Sequence, residues 1–166
     1  EMFPGAAELC DGSDNNCDNK TDSGMNVFWT GNGDGFSWSD ELNWSQMMVP
    51  LPCQHVFIQT QDTVIVDGYE SVKSITIGSP ARCEVLQEAL LRVDTQNESN
   101  HSCLNVNGSL SNYGRVDVEN STADGIIISG TLTNYGRIYI NGVQANSVLS
   151  MMGSSLENQG LIKLKD

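Results

Sequence analysis

The chain has 166 residues and carries Lys+Arg 8 against Asp+Glu 21, a formal net charge of -13. That balance excludes a protein that grips nucleic acid or an anionic membrane surface, because phosphate-rich partners demand basic patches. No apolar run approaches the length needed to span a bilayer, and the size suits one domain with a small appendage. The chain opens at Glu1 with no signal-type apolar stretch, which is expected of a mature product or an excised fragment.

The first segment, residues 1–26, is a polar leader. Between and just after Cys10 and Cys17 it gathers Asp11, Asp14, Asn16, Asp18 and Asp22. Hard oxygen donors at alternating positions suit Ca²⁺, and Asp14, Asn16 and Asp18 occupy the first, third and fifth places of a D-x-N-x-D loop. Asn19 stands where an EF-hand has Gly, and Met25 stands where it has its bidentate Glu. A Cys10–Cys17 bridge is expected to pin this loop. The run from Cys10 to Asp18 resembles the C-D-G-x-D-N-x-C-D motif of secreted bacterial proteins, a resemblance that implies metal binding.

Residues 27–166 form the main domain. It begins with an aromatic segment in which Trp29, Phe36, Trp38 and Trp44 are interleaved with Gly31, Gly33 and Gly35. Buried, these rings would plug the end of a repetitive β-structure; exposed, they would stack against sugars. After them come alternating apolar runs at His55–Gln59, Thr63–Asp67 and Val72–Gly78, where period two signals strands. The order Trp29, Gly31, Gly33, Trp38, Asn43-Trp44, Val49-Pro50 and then these runs resembles the opening of β-solenoid domains in secreted bacterial surface proteins. That resemblance implies architecture and leaves function open, since such domains serve adhesins, fibres and accessory regions of enzymes.

From Ser79 to Ser102 the spacing stretches. Strands are expected at Cys83–Leu86 and Leu90–Val93, with an exposed loop over Asp94–Ser102. Cys53, Cys83 and Cys103 remain after the leader pair. Either Cys53 with Cys83 or Cys83 with Cys103 could tie neighbouring turns.

The last third repeats itself. Leu104–Asn120 lies over Ile126–Gly142 and, more loosely, over Val148–Leu164, aligning Gly108 with Gly130 and Gly153, and Gly114 with Gly136 and Gly160. Asn112, Asn134 and Asn158 align as well. A step of this size means stacked units, and the expected fold is all-β, a right-handed parallel β-helix or β-solenoid of about four turns. The aligned asparagines should form a side-chain amide ladder while tolerating a left-handed backbone. The glycine two places later should supply positive φ.

Six sequons begin at Asn19, Asn43, Asn97, Asn100, Asn107 and Asn120. With five cysteines they point to an extracellular, glycan-bearing protein at the cell surface. Catalysis finds little footing: Asp117 and Glu119 become Tyr139 and Asn141 one repeat later, and His55 and His101 are isolated, each expected on a surface or loop. The expected role is therefore structural, a subunit that polymerises head-to-tail by solenoid stacking or by strand donation. The alternative is a monomeric adhesin or carbohydrate-binding module using the tryptophans and the acidic loop.

Overall fold

Apolar residues that alternate over three to five positions make strands too short to stand alone, and here each is completed by the next turn of chain. A computed structural model describes residues 2–6, 8–19, 22, 25–96, 102–144 and 148–165. Strand β1 (Asn26–Phe28) precedes the first coil of β2 (His55–Ile58), β3 (Thr63–Val66) and β4 (Tyr69–Val72). The second coil holds β5 (Ser74–Ile77), β6 (Arg82–Val85) and β7 (Leu90–Asp94). The third holds β8 (Leu104–Val106), β9 (Ser109–Asn112) and β10 (Arg115–Glu119). β11 (Ile126–Ile128), β12 (Thr131–Asn134) and β13 (Arg137–Asn141) make the fourth. β14 (Leu149–Met151), β15 (Ser155–Asn158) and β16 (Leu161–Lys165) make the last.

Corresponding strands pair in parallel, giving three sheets ordered β1-β2-β5-β8-β11-β14, β3-β6-β9-β12-β15 and β4-β7-β10-β13-β16. The expected β-solenoid is what forms, and about four coil-to-coil steps separate β2 from β14. Parallel strands buried on their inner face need an apolar side chain at every second position. Register supplies it as columns: Val56, Ile75, Leu104 and Ile126 on the first sheet, Val64, Cys83, Leu110 and Leu132 on the second, and Val72, Val93, Val118 and Ile140 on the third. All of these side chains are buried. Cys83 and Cys103 are buried free thiols rather than bridge partners, so neither expected tie between turns exists. Both are core-filling residues, and burial pushes the Cys83 thiol up to about 12 and raises that of Cys103.

The expected asparagine ladder is present. Asn112, Asn134 and Asn158 occupy one register column. The Asn112 amide donates to Asn134 Oδ1 at 2.7 Å, and the Asn134 amide donates to Asn158 Oδ1 at 2.7 Å. The second proton of each amide turns to the backbone of the next coil, Asn112 to Arg137 O at 3.1 Å and Asn134 to Leu161 O at 3.4 Å. Below Asn112 the column continues as Val85. Its Oδ1 therefore ends the ladder, buried and without a partner.

Two expectations about these corners are corrected. None of the three asparagines has positive φ, and neither do Gly114, Gly136 or Gly160. The glycines answer to crowding instead. A Cβ on Gly114 would strike the carbonyls of Leu86 and Ala89, one on Gly136 the carbonyl of Gly114, and one on Gly160 the carbonyl of Gly136. Successive coils meet backbone to backbone there, which only glycine permits.

Deviations from the repeat sit where the sequence loosens. The first sheet advances 19 residues from His55 to Ser74, 29 from Ile75 to Leu104, and 22 from Leu104 to Ile126. The long step exceeds 22 by seven residues: two in each of the corners 78–81 and 86–89, and three after β7, within the stretch Asp94–Ser102, of which residues 97–101 lie outside the described residues. In the last coil Thr131 faces Ser155, so Ser154 and not Gly153 takes the place opposite Gly130. Gly153 (φ +64) accommodates the extra residue of that corner and touches nothing a Cβ would disturb.

Candidate functional site

The aromatic segment closes the first coil. Trp29, Trp38 and Trp44 are 3%, 0% and 1% exposed. Trp44 meets both others edge-on, with ring centroids at 5.0 Å from Trp29 and 4.8 Å from Trp38. Sugars stack on open ring faces, so these three act as the plug and not as a platform. A polar bracket holds the plug. Trp29 Nε1 donates to Asp62 Oδ2 at 2.9 Å and Trp44 Nε1 to the Trp38 carbonyl at 2.8 Å.

Asn43 organises the glycine loop in front of them. Its Oδ1 accepts from the N–H groups of Gly33 (2.9 Å) and Gly35 (3.0 Å), while its amide donates to Asp34 Oδ1 (2.7 Å) and the Ser37 carbonyl (3.0 Å). The Asp34 carboxyl is pulled two ways. Desolvation raises it, but hydrogen bonds from Ser37, Phe36 and Asn43 prevail and hold it well below the usual carboxylate range. Asp40 caps the short 3-10 helix Glu41–Asn43, accepting from Leu42 N at 3.0 Å. Asn43 is fully buried and every polar atom of its amide is engaged, so the glycan expected on it has no room. The sequence offered one signal for this role, the Gly-x-Gly-Asp-Gly run that leaves bare N–H groups for a nearby acceptor.

Glu70 was not anticipated as a site residue. In the third sheet it faces Leu91 in a column that continues as Val116 and Ile138, three buried apolar side chains. A carboxylate thus takes a core position at the capped end, where Trp38 Nε1 is buried without a hydrogen-bond partner. Desolvation pushes the Glu70 carboxyl up to about 7 and the Asp67 charge adds to the rise, while the nearby Trp38 N–H, too far for a hydrogen bond, offsets part of it. Its signal in the sequence is phase: in Tyr-Glu-Ser-Val, Glu70 shares the inward face with Val72.

The leader contradicts the expected Cys10–Cys17 bridge. Cys10 pairs with Cys53, 43 residues on, and Cys17 is a free, exposed thiol. The bridge therefore ties the leader to the solenoid instead of closing the acidic loop, with a loop-closure contribution of about 4 kcal/mol in the chain-entropy picture. Tied this way, the leader folds on itself, Phe3 N donating to Asn15 O at 3.1 Å.

Within the acidic loop the carboxylates turn to backbone. Asp14 accepts from Asp18 N (3.1 Å) and Asn19 N (2.8 Å), Asn16 Oδ1 from Asp18 N (2.9 Å), and Asp22 from Asp11 N (3.3 Å) and Gly12 N (3.2 Å). Asp11 accepts from Ser13 N at 2.9 Å, the bond that most lowers its carboxyl, with help from Asn15. The donors are the oxygen set a hard cation takes. Among the described residues, however, no three His, Cys, Asp or Glu side chains converge on a point that could hold an ion.

Of the other sequons, Asn19 and Asn107 are exposed, and Asn120 is half-buried with its amide donating to Asp94 Oδ1 at 3.1 Å. Asn97, Asn100 and His101 lie outside the described residues. His55, expected on the surface, is buried, with Nδ1 at 2.7 Å from Ser74 Oγ.

Comparison with known families places one match on this chain. The family Cu-binding_MopE, described as "Putative metal-binding motif", matches residues 1–23. The likeness covers the leader, the stretch holding Asp11, Asp14, Asn16, Asp18 and Asp22, and does not extend into the solenoid. No curated protein and no solved structure matches the chain.

Proposed function

We propose that this protein is a non-catalytic structural module of an extracellular or cell-surface assembly, in which copies join head-to-tail along the solenoid axis. The observation that carries the reading is where exposed apolar side chains gather. Phe36, Leu42, Met47 and Met48 lie on the outside of the cap, and Met151, Met152, Leu161 and Leu164 on the last coil. Apolar patches of this kind mark surfaces that meet a partner. Two different patches at opposite ends give a heterologous contact, and one repeated by translation along the solenoid axis builds a filament rather than a ring. The β14–β16 edges add backbone donors and acceptors that a neighbour can complete. Donation of the leader as an added strand is the weaker variant, because Cys10–Cys53 holds the leader to its own body.

Other observations favour a structural role. The column Asp117, Tyr139, Lys163 keeps no acidic ladder for chemistry, and the disulfide suits an oxidising compartment. Among the described residues no helix is long and apolar enough to cross a membrane. In the leader, the oxygen donors of Asp11, Asp14, Asn16, Asp18 and Asp22 suit Ca²⁺, whereas copper would turn to the free Cys17 thiol among them. The cation would stiffen the segment that Cys10 anchors. Calorimetric titration with Ca²⁺ and with Cu²⁺ tests this: saturable calcium binding that Asp14→Ala removes is expected, and binding of copper alone would contradict it.

Assembly is tested by negative-stain imaging and light scattering of the wild-type chain and of the double variant Leu161→Lys/Leu164→Lys. Wild type should form filaments as concentration rises, and the variant should stay monomeric with its solenoid circular-dichroism signal intact. A wild-type chain that stays monomeric at high concentration would overturn the proposal.

A further inference from the structure

The corner between the second and third sheets carries a groove that no part of the structural role uses. It has a volume of about 480 Å³. The repeated Asn-Tyr-Gly-Arg of residues 112–115 and 134–137 builds it. Gly114 and Gly136 form its floor, since side chains there would collide with the neighbouring coil. Tyr113 and Tyr135 form one wall, stacked ring on ring at 5.1 Å and 7°. They remain 44% and 42% exposed. With their faces turned to each other, the rings offer edges and hydroxyls, and an aromatic edge is the positive part of its quadrupole.

Arg115 and Arg137 form the facing wall as direct register partners on β10 and β13. Like charges opposite each other in a parallel pair are unfavourable, and the two are treated unequally. Arg115 is neutralised by Asp117, Nε to Oδ1 at 2.7 Å, and its guanidinium lies 4.7 Å from the Tyr139 ring centroid. Arg137 has no ion-pair partner among the described residues. In a chain of net charge -13, an uncompensated guanidinium beside positive ring edges is a place for an anionic oxygen. Gln87 and Glu88 also line the groove. Glu88 repels a bare anion and accepts hydroxyl protons, so the ligand needs a carboxylate for Arg137 and hydroxyls beside it. Coils repeat about every 4.8 Å along the axis, a step comparable to the length of one sugar ring.

The geometry points to a binding groove for an acidic oligosaccharide of hexuronate units, lying along the Tyr113–Tyr135 and Arg115–Arg137 columns. The site is separate from both ends used in assembly, so filament formation and sugar binding are independent. Isothermal titration of the full chain with an oligo-hexuronate and with a neutral oligosaccharide of equal length tests it. Saturable binding of the acidic sugar is expected, weaker by about tenfold or more for the neutral one, the loss of one charge-assisted contact. Arg137→Gln should lower affinity by a similar factor. Arg82→Gln, which removes the same charge outside the groove, should leave it unchanged, and both variants should melt like wild type. No heat with the acidic sugar, equal affinity for the neutral one, or an Arg137→Gln affinity equal to wild type would overturn the assignment.

Discussion

Asn134 has the most to lose of any single polar side chain in the corners. It accepts from Asn112 below and donates to Asn158 above. Asn134→Leu removes both bonds and should destabilise by about 1–3 kcal/mol in urea melts. Asn112→Val should cost less, because Val already fills that column one coil below; the change moves the unpaired oxygen to Asn134 and removes one bond to the Arg137 carbonyl. Equal losses for the two would mean the ladder bonds are not the source of the effect. Glu70 gives a pH signature. Its carboxyl lies near 7 in the folded chain against an ordinary 4.5, so folding favours the neutral form. The stability it contributes is full below the unfolded value and is lost as pH rises through about 7. Melting temperature should therefore fall from about pH 4.5 to about 7 and level off above it, and Glu70→Gln should flatten that slope; an unchanged slope would remove Glu70 as its cause. The ladder was legible because three identical residues recur at one step. Glu70 was harder to see, because a lone charge in strand phase reads as an exposed residue until the cap above it is known.

At the scale of strands and corners, crowding decides which glycines matter. Gly136→Ala drives a Cβ into the backbone of Tyr113 and Gly114, which has no rotamer to yield, and should cost about 1–3 kcal/mol or more. Gly153→Ala has open space and meets only the strain of its positive φ, about 1 kcal/mol. The contrast is readable from thermal melts, and a larger loss at Gly153 would contradict it. Position in the stack sets the cost of core truncation too. Leu132 is buried between coils and Leu156 is half-buried in the last coil. Leu132→Ala should cost about 2–5 kcal/mol, and Leu156→Ala clearly less. Strand positions followed directly from alternation, but the role of the corner glycines did not. One chain shows that a residue must be small; it does not show whether φ or a neighbouring carbonyl requires it. The Cys10–Cys53 pairing was hidden for a related reason, since spacing along the chain says nothing about where a leader folds back.

At the scale of the whole molecule the first and last described coils differ. One is sealed by three buried tryptophans and a hydrogen-bonded loop around Asn43, and the other presents β14–β16 with Leu161 and Leu164 exposed. The solenoid itself could be read from the repeats, and the plug from the tryptophans that precede them. The apolar outer surface of the cap could not, because Phe36, Leu42, Met47 and Met48 look like core residues in sequence. Hydrogen exchange across concentration tests this asymmetry most directly. In dilute protein the amides of β14–β16 should exchange far faster than those of β8–β10, since outer strand edges open at little cost. As concentration rises, β14–β16 and the cap loop from Phe36 to Met48 should become protected together while the middle coils stay constant. Protection of β14–β16 equal to that of β8–β10 in the dilute monomer, with no change on concentrating, would contradict it.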